Sequence, residues 1–178
     1  MQGKELKQQK AVLISIQPRW CELIASGKKT VEVRKTAPKL EPPFKVYIYC
    51  TKGHFHRQYS DSAKAWRENV LGKVIGEFTC NSIECFTTDY RQNEEQTERI
   101  SRQSCVDMVS LMEYEENSPC LYGWHISDLV LYGEPKPLSN YLRCPYPWDC
   151  GACDLFDGFD MSCNRKIRPP QSWCYVEG

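Results

Sequence analysis

The spacing of apolar residues changes twice near the start of the chain. Residues 11–16 (AVLISI) are apolar almost without interruption, which predicts a strand buried on both faces. Pro18 suits the first turn of a helix, and Trp20, Leu23 and Ile24 follow at the i, i+3, i+4 spacing that gives it one apolar side. Gly27 stands where a left-handed cap ends such a helix. Strict alternation then takes over in TVEVR, with Val31 and Val33 on one side and Thr30, Glu32 and Arg34 on the other. APKLEPP reads as a proline-rich loop. Residues 44–50, 72–86, 121–132 and 172–177 read as further strands, the second of these with a glycine interruption of the kind found at bulges. Helices are expected around residues 63–70 and over 105–114, and the polar stretch 87–103 as an exposed loop. Short strands, frequent turns and a few helices predict an α+β, mainly β fold, a small and partly open barrel with peripheral helices. No repeat or linker divides it: residues 1–10 are a polar extension and 11–178 a single domain.

Length and composition agree with that picture. At 178 residues and 41% hydrophobic content, the chain suits one domain with a sizeable core. No apolar run is long enough to span a bilayer, and MQGKELKQQK lacks the apolar centre of a signal peptide. A cytoplasmic protein without a membrane partner is expected; the oligomeric state is left open. Formal net charge is zero, but residues 1–57 carry 12 Lys+Arg against 4 Asp+Glu. An anionic partner fits that basic part, unless folding mixes the segments in space.

Cysteine changes the picture more. Eleven cysteines without a secretory context point to thiols or metal rather than disulfides. Cys21, Cys50, Cys80, Cys85, Cys105 and Cys120 lie singly, where cysteine acts as a small hydrophobe. The rest crowd into residues 144–174. CPYPWDCGACDLFDGFDMSC spaces Cys144, Cys150, Cys153 and Cys163 as C-x5-C-x2-C-x9-C, and the glycine of CGAC lets two thiolates turn toward one ion. A closed structural zinc site is expected, ordering residues 144–171 as an insertion that has little apolar surface of its own. An iron–sulfur cluster would take the same ligands. Cys174 could replace one of the four, but SWCYVE reads as strand, which would pack it.

The stretch SGKKTVEVRK supplies Gly27, Lys29, Glu32 and Arg34 in the pattern G-x-K-x-x-E-x-R. With VLISIQPRWCELIASG before it, and GKVIGEF and YGWHISDLVLYGEPKPLS after it, the chain resembles the ASCH family, a branch of the PUA-like barrels. The last of these segments and RPPQSWCYVE are similar to a subgroup found in bacteriophages and prophages. The resemblance covers roughly residues 11–143 and 167–177. It implies a barrel with a cleft at the helix end of the motif, binding RNA or a nucleotide-like ligand such as a modified base. Some family members are amidohydrolases on N4-acetylcytidine that use a Lys, a Thr and a Glu, and ribonuclease activity is attributed to others. Lys29 matches that Lys, but the position three residues on, where the Thr belongs, is Glu32. The expected nucleophile is therefore missing, and Thr30 beside the Lys need not point the same way.

Two readings of the motif remain. Glu32 and Arg34 can form a solvated rim pair, worth about 0–1 kcal/mol. Alternatively they line a cleft, where a carboxylate accepts from exocyclic amines and a guanidinium clamps phosphate. The family context favours the cleft, with Lys29, Glu32, Arg34, Thr30, Trp20 and His125 as candidate ligand-binding residues. Were the protein a hydrolase, Lys29 and Glu32 would be its base and acid.

Overall fold

The computed structural model describes residues 10–53, 61–141 and 168–178. β1 (Lys10–Ile16) leads into α1 (Pro18–Ala25), followed by β2 (Val31–Arg34) and β3 (Phe44–Cys50). Next come α2 (Asp61–Val70), the long β4 (Lys73–Phe86), α3 (Tyr90–Ser104) and α4 (Met108–Glu115). β5 (Leu121–Pro137), a short 3-10 turn and β6 (Trp173–Glu177) complete the described chain. No described helix is long and apolar enough to cross a membrane.

The strands form one six-stranded sheet in the order β2-β5-β4-β3-β1-β6, with only the β1–β3 pair parallel. The sheet curls. Trp124 on β5 touches both Phe44 on β3 and Trp173 on β6, with ring centroids 6.1 and 5.9 Å apart. Strands far apart in the sheet therefore share one core, built on Val12, Ile14, Ile48, Phe78 and Trp124. The bend needs Gly76, where the register shifts and any Cβ would collide with the Val130 carbonyl.

The two ends of the sheet approach without forming a ladder, so the expected barrel is an open sheet. β2, with four residues, is an edge strand of this sheet and pairs with β5. Side chains bridge the seam instead. Arg34 donates to the Ser15 carbonyl at 2.6 Å, Trp173 Nε1 to Thr36 Oγ1 at 3.0 Å, and the Lys39 amide to the Tyr175 hydroxyl at 2.7 Å.

The stretch expected as an exposed loop over 87–103 is largely α3. Its helix buries Thr97, Ile100 and Ser104 completely against the sheet. Two of those three residues are polar, so hydrophobic periodicity could not reveal the inward side. β5 also runs further than residues 121–132.

Candidate ligand-binding cleft

α1 ends as its sequence requires. Gly27 adopts φ +71°, and the amides of Gly27 and Lys28 return to the carbonyls of Ile24 and Leu23 at 2.9 and 3.0 Å. This cap turns the chain into β2, whose alternation sends Val31 toward a core beneath α3 and α4. Glu32 pairs in register with the buried Trp124 and so faces the inner side of the sheet.

There Glu32 lies between two cations. Its Oε2 is 3.2 Å from Lys29 Nζ and its Oε1 2.9 Å from an Arg34 nitrogen. Lys29 and Glu32 are only 2% and 5% exposed, so this is a buried ion triad rather than a solvated rim pair. Each cation has a second acceptor on the backbone: Ser104 O for Lys29 at 2.7 Å, and Ser15 O for Arg34. Arg34 Nε is buried without a hydrogen-bond partner. The triad floors a cavity of about 570 Å³ between α1, β2 and α4, with Arg19 and Trp20 on the α1 wall and Tyr114 on the α4 wall. Pro169, Pro170 and Gln171 close a third side, held by Ser15 Oγ donating to the Pro170 carbonyl at 2.6 Å. Three cations against one carboxylate make the lining suited to an anionic ligand, and the Trp20 ring supplies a flat apolar surface.

Of the residues singled out in the sequence, Lys29, Glu32, Arg34 and Trp20 converge on this cavity. Thr30 does not. It is exposed, and its backbone does the work: its amide donates to Gln103 O at 2.8 Å and its carbonyl accepts from Ile126 N at 2.9 Å. His125 is also outside the cleft, because it sits opposite Val31 and shares that residue's side of the sheet. Its Nε2 lies 2.5 Å from Glu84 Oε1. Glu84 is further held by Arg99 through two bonds of 2.9 and 2.7 Å and by Gln96 at 3.0 Å. Arg99 is the main reason that the Glu84 carboxyl falls from an ordinary 4.5 to about 2. This clamp docks α3, whose last carbonyls receive Thr30 and Lys29.

Ser15, Ser104, Arg19 and Tyr114 escaped sequence reasoning. Arg19 had a usable signal, since it precedes Trp20 on the same helix. Cys144, Cys150, Cys153 and Cys163 lie outside the described residues, as do His54 and His56, whose alternation in GHFH could hold an anion or a metal but fits a solvated loop better. Among the described residues no group of three or more His, Cys, Asp or Glu side chains is placed to hold a metal. The seven described cysteines are free thiols, and Cys174 is half-buried on β6.

The ASCH domain profile matches residues 14–136, most of the chain and all of the cleft lining except Pro169, Pro170 and Gln171. The chain belongs to the ASCH domain family. Its fold is similar to the crystal structure of ASCH from Zymomonas mobilis, with a TM-score of 0.60 at 19% identity, covering 94% of this chain and 87% of that one. A serine-to-alanine variant of the Zymomonas mobilis protein gives a TM-score of 0.62 at 18% identity, with coverage of 96% and 90%. A tyrosine-to-phenylalanine variant gives 0.59 at 17%, with coverage of 94% and 90%. Identities this low carry the ASCH fold and not the ligand. No curated protein matches the chain.

Proposed function

We propose that the cleft of this ASCH domain binds a nucleotide, either free or as an unpaired residue of RNA, and that the protein is a binding module. The observation that supports this most is the buried Lys29–Glu32–Arg34 triad at the floor of a cavity large enough for a base, its sugar and a phosphate. Buried charges are costly unless paired, and here the pairing is completed by backbone carbonyls. Glu32 is thereby oriented to accept from a base amine, and Arg34 keeps unused donor capacity.

The runner-up is a hydrolase acting on an acylated nucleoside or on RNA. Against it, the position for the nucleophilic Thr is Glu32, and Lys29 is engaged by both Glu32 and Ser104. Titrating nucleosides, nucleotides and short single-stranded RNAs into the protein tests the binding reading. Unchanged affinity in both Lys29→Ala and Glu32→Gln would defeat it. Steady turnover of N4-acetylcytidine that disappears in Glu32→Gln would replace it with the hydrolase.

A structural zinc ion belongs to the same proposal. Cys144, Cys150, Cys153 and Cys163 offer an all-thiolate set whose chemistry suits a closed tetrahedral site.

A further inference from the structure

We infer that Arg19 selects for the phosphate of the bound nucleotide, and that it does so by leaving the face of Trp20, where the base takes its place. This rests on the reading of the cleft as a nucleotide site. Arg19 and Trp20 are consecutive on α1 and both line the cavity. The Arg19 guanidinium carbon lies 4.1 Å from the Trp20 ring centroid, a flat cation resting on a flat ring. Lys29 Nζ is 5.0 Å from the same centroid.

The two cations differ in how they are held. Lys29 is buried and fixed by Glu32 and the Ser104 carbonyl. Arg19 is exposed, and among the described residues it makes neither an ion pair nor a hydrogen bond. The third cation of the lining, Arg34, is bonded to Glu32 and to the Ser15 carbonyl. Arg19 is thus the lining cation whose fork is uncommitted.

A guanidinium lying on an indole occupies the place that a stacked base would occupy. Stacking a base there is worth more than a solvent-exposed cation–π contact, so the ligand displaces the arginine. The displaced fork remains tethered beside Trp20. It can reach the group that lies a sugar away from the stacked base, and a phosphate is what its paired N–H groups fit. The ligand class is therefore a nucleotide that carries its phosphate, not a bare base or nucleoside.

The test compares the full-length wild type with Arg19→Ala, Arg19→Lys and Trp20→Leu. Nucleosides and their 5′-monophosphates are titrated into each by calorimetry. Wild type is expected to prefer a monophosphate over its nucleoside by roughly tenfold. Arg19→Ala should lose that preference while its nucleoside affinity holds or rises, because the ring is uncovered. Arg19→Lys should restore part of the preference, and Trp20→Leu should weaken both ligands. An exposed Arg19 makes the alanine variant safe for folding, so it carries the test even if Trp20→Leu does not fold. Equal weakening of nucleoside and monophosphate in Arg19→Ala, or an intact preference, would overturn the inference and leave the cleft reading standing. Wild type that binds neither ligand would end both.

Discussion

Lys29 donates its ammonium to the carbonyl of Ser104, 75 residues away, at 2.7 Å. Ser104 is the last residue of α3, so the family motif closes the C-terminal end of a helix as well as facing a cleft. Cations are favoured at that end, where carbonyls lack helical partners. Lys29 thus holds α3 against β2, and Thr30 adds its amide to Gln103 O beside it.

Lys29→Met is expected to free that helix end. The substitution takes this donor from the Ser104 carbonyl and leaves the buried Glu32 with Arg34 alone, at about 1–3 kcal/mol. Melting should fall, and amide exchange should speed up over residues 90–104 more than in β1 or β3. Uniform exchange across the protein would show that Lys29 does not position α3.

The Glu84–Arg99 clamp makes an acid-side prediction. The folded carboxyl sits near 2, below its ordinary 4.5, so its stabilisation is fully present above about 4.5 and is lost as pH falls toward about 2. Arg99→Ala removes the chief cause of that depression, although Gln96 and His125 still contact the carboxylate. Urea unfolding followed through this window should show a shallower loss of stability in the variant than in wild type. Parallel curves would mean that the pair is not coupled to folding.

What the sequence revealed is local. Gly27, Lys29, Glu32 and Arg34 stand within one turn and one short strand, where cap chemistry and alternation fix their directions. Burial of the triad was beyond reach, since its second acceptors come from Ser15 and Ser104, and no spacing rule links those positions. α3 was hidden for a related reason. Thr97 and Ser104 are wholly buried, so its inward side does not look apolar. His125 looked like a cleft residue because it lies in a motif-like segment, yet its register opposite Val31 turns it to the other side of the sheet. The Trp124–Trp173 contact, which shows that the sheet curls, depends on strands separated by most of its width.

Metal analysis gives an independent prediction for the cysteine-rich segment. Protein purified under reducing conditions is expected to carry about one zinc per chain, as a four-thiolate site demands. Cys150→Ser should lose the metal while the far-ultraviolet spectrum of the sheet persists. Metal-free wild-type protein would remove zinc from the proposal.

Glu32→Gln separates the structural role of the triad from its role in binding. The amide keeps the shape of the carboxylate but removes the charge between Lys29 and Arg34, and its NH2 group offers one of them a donor where it needs an acceptor. Removing one partner of a buried ion pair costs about 3–5 kcal/mol. Here both cations keep a carbonyl, from Ser104 and from Ser15, so a smaller loss of roughly 2–3 kcal/mol is expected and the fold should survive. Nucleotide affinity should fall further than stability alone requires, because the acceptor for the base amine is lost. Comparison with Lys29→Met makes the distinction measurable. If both variants lose similar stability, only Glu32→Gln should change the preference among bases that differ in their exocyclic groups. Identical base preferences in wild type and Glu32→Gln would assign the carboxylate to holding Lys29 and Arg34 in place, with recognition left to Trp20 and Arg19.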